Sequence, residues 1–322
     1  MTLNNIVKEA VVKDIKLALI SYGRDGEKVD AITLQEKPRI YIPPSTIFVT
    51  AANAYHKSEV KAEVIAKTGI DSLMGEVNIY KSKNQGGYIE LVGINSSTRV
   101  KKIKKMIPAD IDLILIDGAL DRRSSAMPAL TEGFIMATGA VIGNTEDLVI
   151  KKTIHEIRRL SLPEINNDFL KEKVKNLINK GQDGILYKDG SIDCLESRTS
   201  FGHIKELKSK DYDKIRALII NGALIDSFVE KLIYDLKLKN INLIVRDGTR
   251  VFLNKRNMNL LENANIKLEV LNNIHLLAVT VNPTSPYSAS LNSPKIINGL
   301  KDKLHQVPVY DIMSEKYKSL ER

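Results

Sequence analysis

The stretch Leu113-Ile-Leu-Ile-Asp-Gly-Ala-Leu-Asp-Arg-Arg123 decides the reading of this chain. Its four leading apolar residues predict a strand buried on both faces, as in a parallel sheet packed between helices. The apolar run stops at Asp117-Gly118, where the chain leaves the sheet. Open α/β sheets take their ligands at that carboxyl edge. Asp117 is therefore expected at the mouth of a crevice, with Asp121, Arg122 and Arg123 just beyond it. A carboxylate there suits a magnesium ion, directly or through water, and guanidinium groups suit phosphate. A strand capped by an Asp-Gly turn with solvated charges is the competing description.

Outward from this stretch the pattern stays α/β. Leu3, Ile6, Val7, Ala10 and Val11 recur at helical spacing, so the chain opens on a helix. Leu17–Ser21 and Thr46–Thr50 predict strands, and residues 57–69 predict a helix through Val60, Val64 and Ile65. Glu76–Tyr80 and Tyr88–Val92, separated by the turn-rich Ser82–Gly87, predict a hairpin. Asn95 or a neighbouring serine caps the helix ahead of the central strand. Gly133–Ala140 is a further strand, and Asn144 and Thr145 start a helix that runs to Leu160. Gly23-Arg24-Asp25-Gly26 follows its strand as Asp117 follows its own, so parallel strands would bring Arg24 and Asp25 to the same edge.

The expected domains are a nucleotide-binding-like α/β domain over 1–165, a connecting segment over 166–183 and a second α/β domain over 184–322. Strands of the second domain are predicted at 185–187, 217–220, 241–245, 267–270 and 275–280. Ile219-Ile-Asn-Gly-Ala-Leu224 echoes Leu115-Ile-Asp-Gly-Ala-Leu120, with Asn221 in place of Asp117. Arg246-Asp-Gly-Thr-Arg250 and Asn282–Tyr287 also follow strands and can line a second crevice.

Composition narrows the function classes. With 322 residues, 43% hydrophobic and 27% charged, the chain has room for two cores. A net charge of +9 favours anionic partners. The densest basic run, Val100–Lys105, is the solvated face of a helix and lacks the interleaved aromatic residues that stack bases, which argues against nucleic acid. The single cysteine, Cys194, fits a reducing cytosol, and no window approaches the about 18 apolar residues of a membrane span, so a cytoplasmic protein with no membrane partner is expected. The five histidines lie far apart along the chain, so no zinc site is expected.

Residues 1 to 160 resemble the smaller subunit of the reactivating factor for the adenosylcobalamin-dependent lysine 5,6-aminomutase and the related ornithine enzyme. The resemblance rests on Ser21–Glu27, Lys37–Ile42, Thr68–Ile70 with Met74–Val77, Gly93–Ser96, Leu115–Ser124 and Ala137–Ala140, in one order. It implies a P-loop-NTPase-like, mostly parallel sheet, with ATP and Mg2+ as cofactors and a role in lysine or ornithine degradation. Such a factor acts as a chaperone: with a larger MutS-like subunit, it uses ATP to open the aminomutase and exchange damaged cobalamin for intact cofactor. Under it Asp117 holds magnesium through water, and Arg24 and Asp25 respond to the γ-phosphate. Thr2 lies beside the phosphate loop, and Arg122, Arg123 and Asp121 steady phosphate or signal to the partner. The family's GxxxxGK(S/T) loop is absent from this sequence, and Met1–Asn4 matches the residues that directly follow it. The expectation is that the first strand and loop lie ahead of a misplaced start, with ATPase activity depending on them. A small-molecule ligase or kinase of dethiobiotin-synthetase type is a second reading, and a non-catalytic partner-binding scaffold a third. No Asp-x-His-x-x-Gly signature occurs, so no direct cobalamin site is expected.

Overall fold

The computed structural model describes residues 2–22, 24–25, 39–94, 96–118, 126–197, 199–285 and 289–314. The chain opens with α1 (Thr2–Val12), β1 (Leu17–Tyr22), β2 (Arg24–Asp25), β3 (Ile40–Ile42), β4 (Ile47–Ala51) and α2 (Ala52–His56). Next come β5 (Ala62–Ser72), β6 (Gly75–Ser82), β7 (Gly87–Ile89), β8 (Leu91–Val92) and α3 (Ser97–Met106). β9 (Leu113–Gly118), β10 (Gly133–Gly139), α4 (Glu146–Leu160), α5 (Asp168–Asn179), β11 (Asp183–Tyr187) and β12 (Ile192–Leu195) follow. The remainder is α6 (Ser200–Leu207), β13 (Ile215–Ile220), β14 (Leu224–Ile225), α7 (Asp226–Tyr234), β15 (Asn242–Val245) and β16 (Val251–Phe252). It ends with α8 (Lys255–Asn263), β17 (Lys267–Val270), β18 (His275–Asn282), α9 (Ser293–Leu304) and β19 (Val309–Asp311).

Two compact units result: Met1–Lys152 with Leu277–Arg322, and Thr153–Leu276. The chain therefore does not divide near residue 165 as its sequence suggested. The last stretch returns to the first unit because β18 pairs with β10 in a three-stranded sheet, order β10-β18-β19. Nor is 166–183 a connector. Leu170, Val174, Leu177 and Ile178 of α5 are buried against Ala217 and Ile219 of β13 and Ile244 of β15.

The first unit is built on a five-stranded sheet, order β5-β6-β4-β1-β9, in which β1 runs parallel to both β4 and β9. All six residues of β1 are buried. Because successive side chains of a strand point to opposite faces, Leu17 and Leu19 pack with Val7 and Ala10 of α1, and Ala18 and Ile20 with Val100 and Ile103 of α3. Phe48 of β4 stacks on Tyr80 of β6, ring centroids 5.4 Å apart, and closes the α1 side. Ser96 caps α3 by accepting from the Arg99 N–H, while Asn95 lies outside the described residues. Thr145 caps α4 in the same way, through the Leu148 N–H.

Three sequence expectations are overturned here. Residues 57–69 are no helix: β5 is an edge strand paired antiparallel to β6. Its pairing slips between Val64 and Ala66 and again between Lys67 and Ile70. Each slip moves the apolar residues off strict alternation, and the resulting spacing imitates a helix. The hairpin of 76–80 with 88–92 does not form either, since β6 pairs with β4 and β5, β7 with β3, and β8 with β2. Finally, Leu113–Ile116 of β9 are only half-buried, because among the described residues β9 ends its sheet and has one strand neighbour, β1.

The second unit carries the sheet β12-β11-β13-β15-β17, with β13, β15 and β17 parallel and β11 antiparallel to β13. One face packs Leu218, Ile220, Leu243 and Val245 against Ile204 of α6, Phe228 of α7 and Met258 of α8. The opposite face packs on α5. Among its buried polar groups, His203 of α6 places Nε2 3.3 Å from Asp183 Oδ2 and 2.7 Å from the Ser197 carbonyl. The hydrogen bond that the imidazole donates to Asp183 holds its pKa above the ordinary value, against the opposing effect of burial. A His whose folded pKa is raised adds stability in full below its unfolded pKa of about 6.5, and loses it as pH climbs through the folded value. Unfolding free energy of this unit, followed by tyrosine fluorescence in urea, is therefore expected to fall on going from pH 6 to alkaline pH, with His203→Gln flattening that fall.

Candidate active site

The candidate site is the carboxyl edge of β1 and β9. Pairing continues to the strand ends, with Ser21 opposite Asp117 and Tyr22 opposite Gly118. Leu113 and Leu115 join the cluster under α1, whereas Ile114 and Ile116 join the cluster under α3. By the same alternation Asp117 belongs to the α1 face of the sheet, half-buried, beside the buried Ser21 on β1.

The chain passes from β1 into β2, so Arg24 and Asp25 follow within three and four residues of Ser21. Their backbone pairs antiparallel with β8, Arg24 opposite Val92 and Asp25 opposite Leu91. The strands are parallel, and Asp117 and the Arg24–Asp25 backbone both follow carboxyl ends of that sheet. Side chains of Arg24 and Asp25, and all of Asp121, Arg122 and Arg123, lie outside the described residues. Thr2 begins α1 and is placed elsewhere along the edge: its hydroxyl lies 2.8 Å from that of Thr280 on β18. α1 therefore packs on β1 and β9 through Val7 and Ala10 and touches β18 through its first residue.

Sequence reasoning missed the residues that hold this edge together. Thr50 of β4 is fully buried, accepts from the Val92 N–H at 3.0 Å and donates to the Glu90 carbonyl at 3.2 Å. It fastens β8, and through β8 the Arg24–Asp25 backbone, to the central sheet. Asn4 of α1 donates to the Arg39 carbonyl at 2.8 Å and accepts from the Tyr41 N–H at 3.3 Å, so its amide ties α1 to β3 as a peptide group would. Neither carries a local signal, since a Thr in an apolar run and an Asn on a helix are common. At the opposite end of the sheet Lys16 bridges to Asp110 at 3.1 Å, and its N–H donates to Asp112 at 2.9 Å. The Lys16 ammonium holds the Asp110 carboxyl below its usual range. Glu146, at the start of α4, accepts from the Asn292 N–H, which lowers its pKa and joins α4 to the cap of α9. These resolved titration shifts belong to structural clamps.

Among the described residues no three acidic, histidine or cysteine side chains gather as protein ligands for one metal ion. Among the described residues no helix is long and apolar enough to cross a membrane. Comparison with family models, curated proteins and solved structures gives no significant match.

The Thr50 bridge sets a direct test of how the edge is held. Thr50→Val leaves the buried Val92 N–H without an acceptor, a loss of about 1–3 kcal/mol. Amide hydrogen exchange should accelerate selectively at Arg24, Asp25, Leu91 and Val92, while Thr50→Ser retains protection. Uniform exchange changes across the unit would show that Thr50 has no special hold on β8.

Proposed function

We propose that this chain is the nucleotide-handling subunit of a factor that uses ATP to reactivate an adenosylcobalamin-dependent aminomutase of lysine or ornithine degradation, together with a larger MutS-like subunit. The observation that carries the reading is Asp117 at the carboxyl end of a strand parallel to and in register with β1. That is the position from which an acidic residue reaches a magnesium ion bound to nucleotide phosphates. The sequence stretches named above supply the choice of aminomutase over other ATP users.

On this reading the sheet is of P-loop-NTPase type and takes one more strand. β9 ends the five-stranded sheet and β10 ends the three-stranded one, and α1 reaches both sheets. A parallel strand on the edge of β9 that no described residue pairs with would bury Leu113–Ile116 more fully, as β1 is buried, and cover an apolar edge of a kind natural proteins avoid leaving open. Its carboxyl end would lie on the side where α1 begins, so a phosphate loop there would aim its N–H groups at the same edge as Asp117. ATP bound at that edge supplies the free energy for opening the partner. Asp117 would hold the metal through water, and the Arg24–Asp25 segment, tied through β8 to Thr50, would carry the presence of the last phosphate into the sheet.

A partner-binding scaffold is the second reading, favoured by the absence of any GxxxxGK(S/T) motif from the sequence. The two separate in one assay. The protein isolated from its source cell is mixed with the larger subunit and an aminomutase inactivated by damaged cobalamin. Recovery of turnover should require ATP and magnesium, and Asp117→Ala should slow it by at least about tenfold. Recovery without ATP, or unaffected by Asp117→Ala, would leave the scaffold.

A further inference from the structure

The second unit holds a polar cluster at the carboxyl edge of its own parallel strands. β13 and β15 are in register up to Ile220 opposite Val245, so Asn221 and Arg246 are the next residues out on adjacent strands. Arg246 Nη2 donates to Asn221 Oδ1 and to the Ile178 carbonyl, both at 3.0 Å. The Asn221 N–H donates to Asp183, whose other oxygen faces His203.

This network spends its acceptors and leaves donors over. An arginine has only donors, so Asn221 must turn its oxygen toward Arg246 and its NH2 group away. Both Asp183 oxygens are engaged, one by the Asn221 N–H and one by His203. Among the described residues, Arg246 Nε is buried without a partner, and its Nη1 and the Asn221 NH2 meet no acceptor. The N–H groups of Gly222 and Ala223, the exposed residues that follow Asn221, also find no acceptor in the described residues. Space above Gly222 is open, with no atom within 4 Å of where a Cβ would stand. Among the described residues Arg246 forms no ion pair, since the two Asp183 oxygens face the Asn221 N–H and His203. Half-buried donors in excess of acceptors, a fixed guanidinium and successive backbone N–H groups form the surroundings an anion requires.

We propose that Asn221, Gly222, Ala223 and Arg246 form a binding site for an oxyanion, the phosphate or carboxylate end of a small molecule. The Asp183–His203 pair lies behind it as a positioning element that fixes Asn221. The inference is independent of the reactivation reading, because it uses only the second unit.

Its test is a titration of the full-length, 15N-labelled chain with inorganic phosphate and, separately, with acetate, read from the amide resonances of Gly222 and Ala223 and the Asn221 NH2. A saturable shift of these signals is expected; phosphate alone producing it identifies a phosphate site, and acetate alone a carboxylate site. Arg246→Gln should weaken binding by at least about tenfold, the loss of one charge-assisted contact. Since Arg246 also bonds the end of α5 through Ile178, Gly222→Glu is the second variant. It places a carboxylate in open space on a glycine that lacks a left-handed backbone, and should abolish the shift with the fold intact. No saturable shift with either anion, shifts confined to other residues, or shifts that persist in Gly222→Glu would overturn the proposal.

Discussion

The first unit depends on the in-register parallel pairing of β1 with β9. β1 is buried over its whole length, and its alternating residues divide the apolar contacts between α1 on one side and α3 on the other. A parallel ladder cannot be made by a tight turn, so the pairing commits the intervening chain to a long crossover. Here that excursion contains the antiparallel strands β5 and β6 and the short ribbons of β7 and β8. Because the register runs through Ser21–Asp117 to Tyr22–Gly118, it also fixes where the polar residues leave the sheet. Packing and site geometry thus share one cause.

The same cause explains which features could be read from the residues. Leu17–Ser21, Thr46–Thr50 and Leu113–Ile116 are continuous apolar runs, and each forms a strand because only a sheet covered on both faces accommodates them. Asp117 was legible for the complementary reason: an Asp-Gly pair stops such a run where side chains meet solvent. β5 was illegible, since it lies at an edge, exposes Val64 and Ile65, and slips register twice. Without a buried face there is no strict alternation to find. The return of the chain into the first unit was equally hidden. β18 reads as one more apolar strand after β17, and only pairing with β10 shows where it belongs. Long-range polar ties such as Thr50 to β8 have no local pattern, for their partners lie some forty residues away.

The echo between Leu115-Ile-Asp-Gly-Ala-Leu120 and Ile219-Ile-Asn-Gly-Ala-Leu224 gains a physical meaning once both strands are placed. Each belongs to a parallel strand pair, and each puts its polar residue at the carboxyl end. A strand that ends in a polar residue and glycine suffices to produce the likeness, and common descent is not required. What separates the two positions is a single atom type and its neighbours. Asp117 carries a carboxylate, which has acceptors only. Asn221 offers one acceptor, and Arg246 takes it, leaving the NH2 outward.

That contrast extends beyond the two residues. In the second unit the acid nearest the edge, Asp183, turns one oxygen to the Asn221 N–H and the other to His203, so neither is engaged by Arg246. Replacing a carboxylate by an amide at the strand end therefore changes what that position can hold, an acceptor-only group giving way to one that also donates. Two strand ends of similar sequence can in this way differ in the ligand chemistry they suit. The chemistry resides in which acceptors are already occupied, and the similar sequences of the two strand ends do not carry that difference.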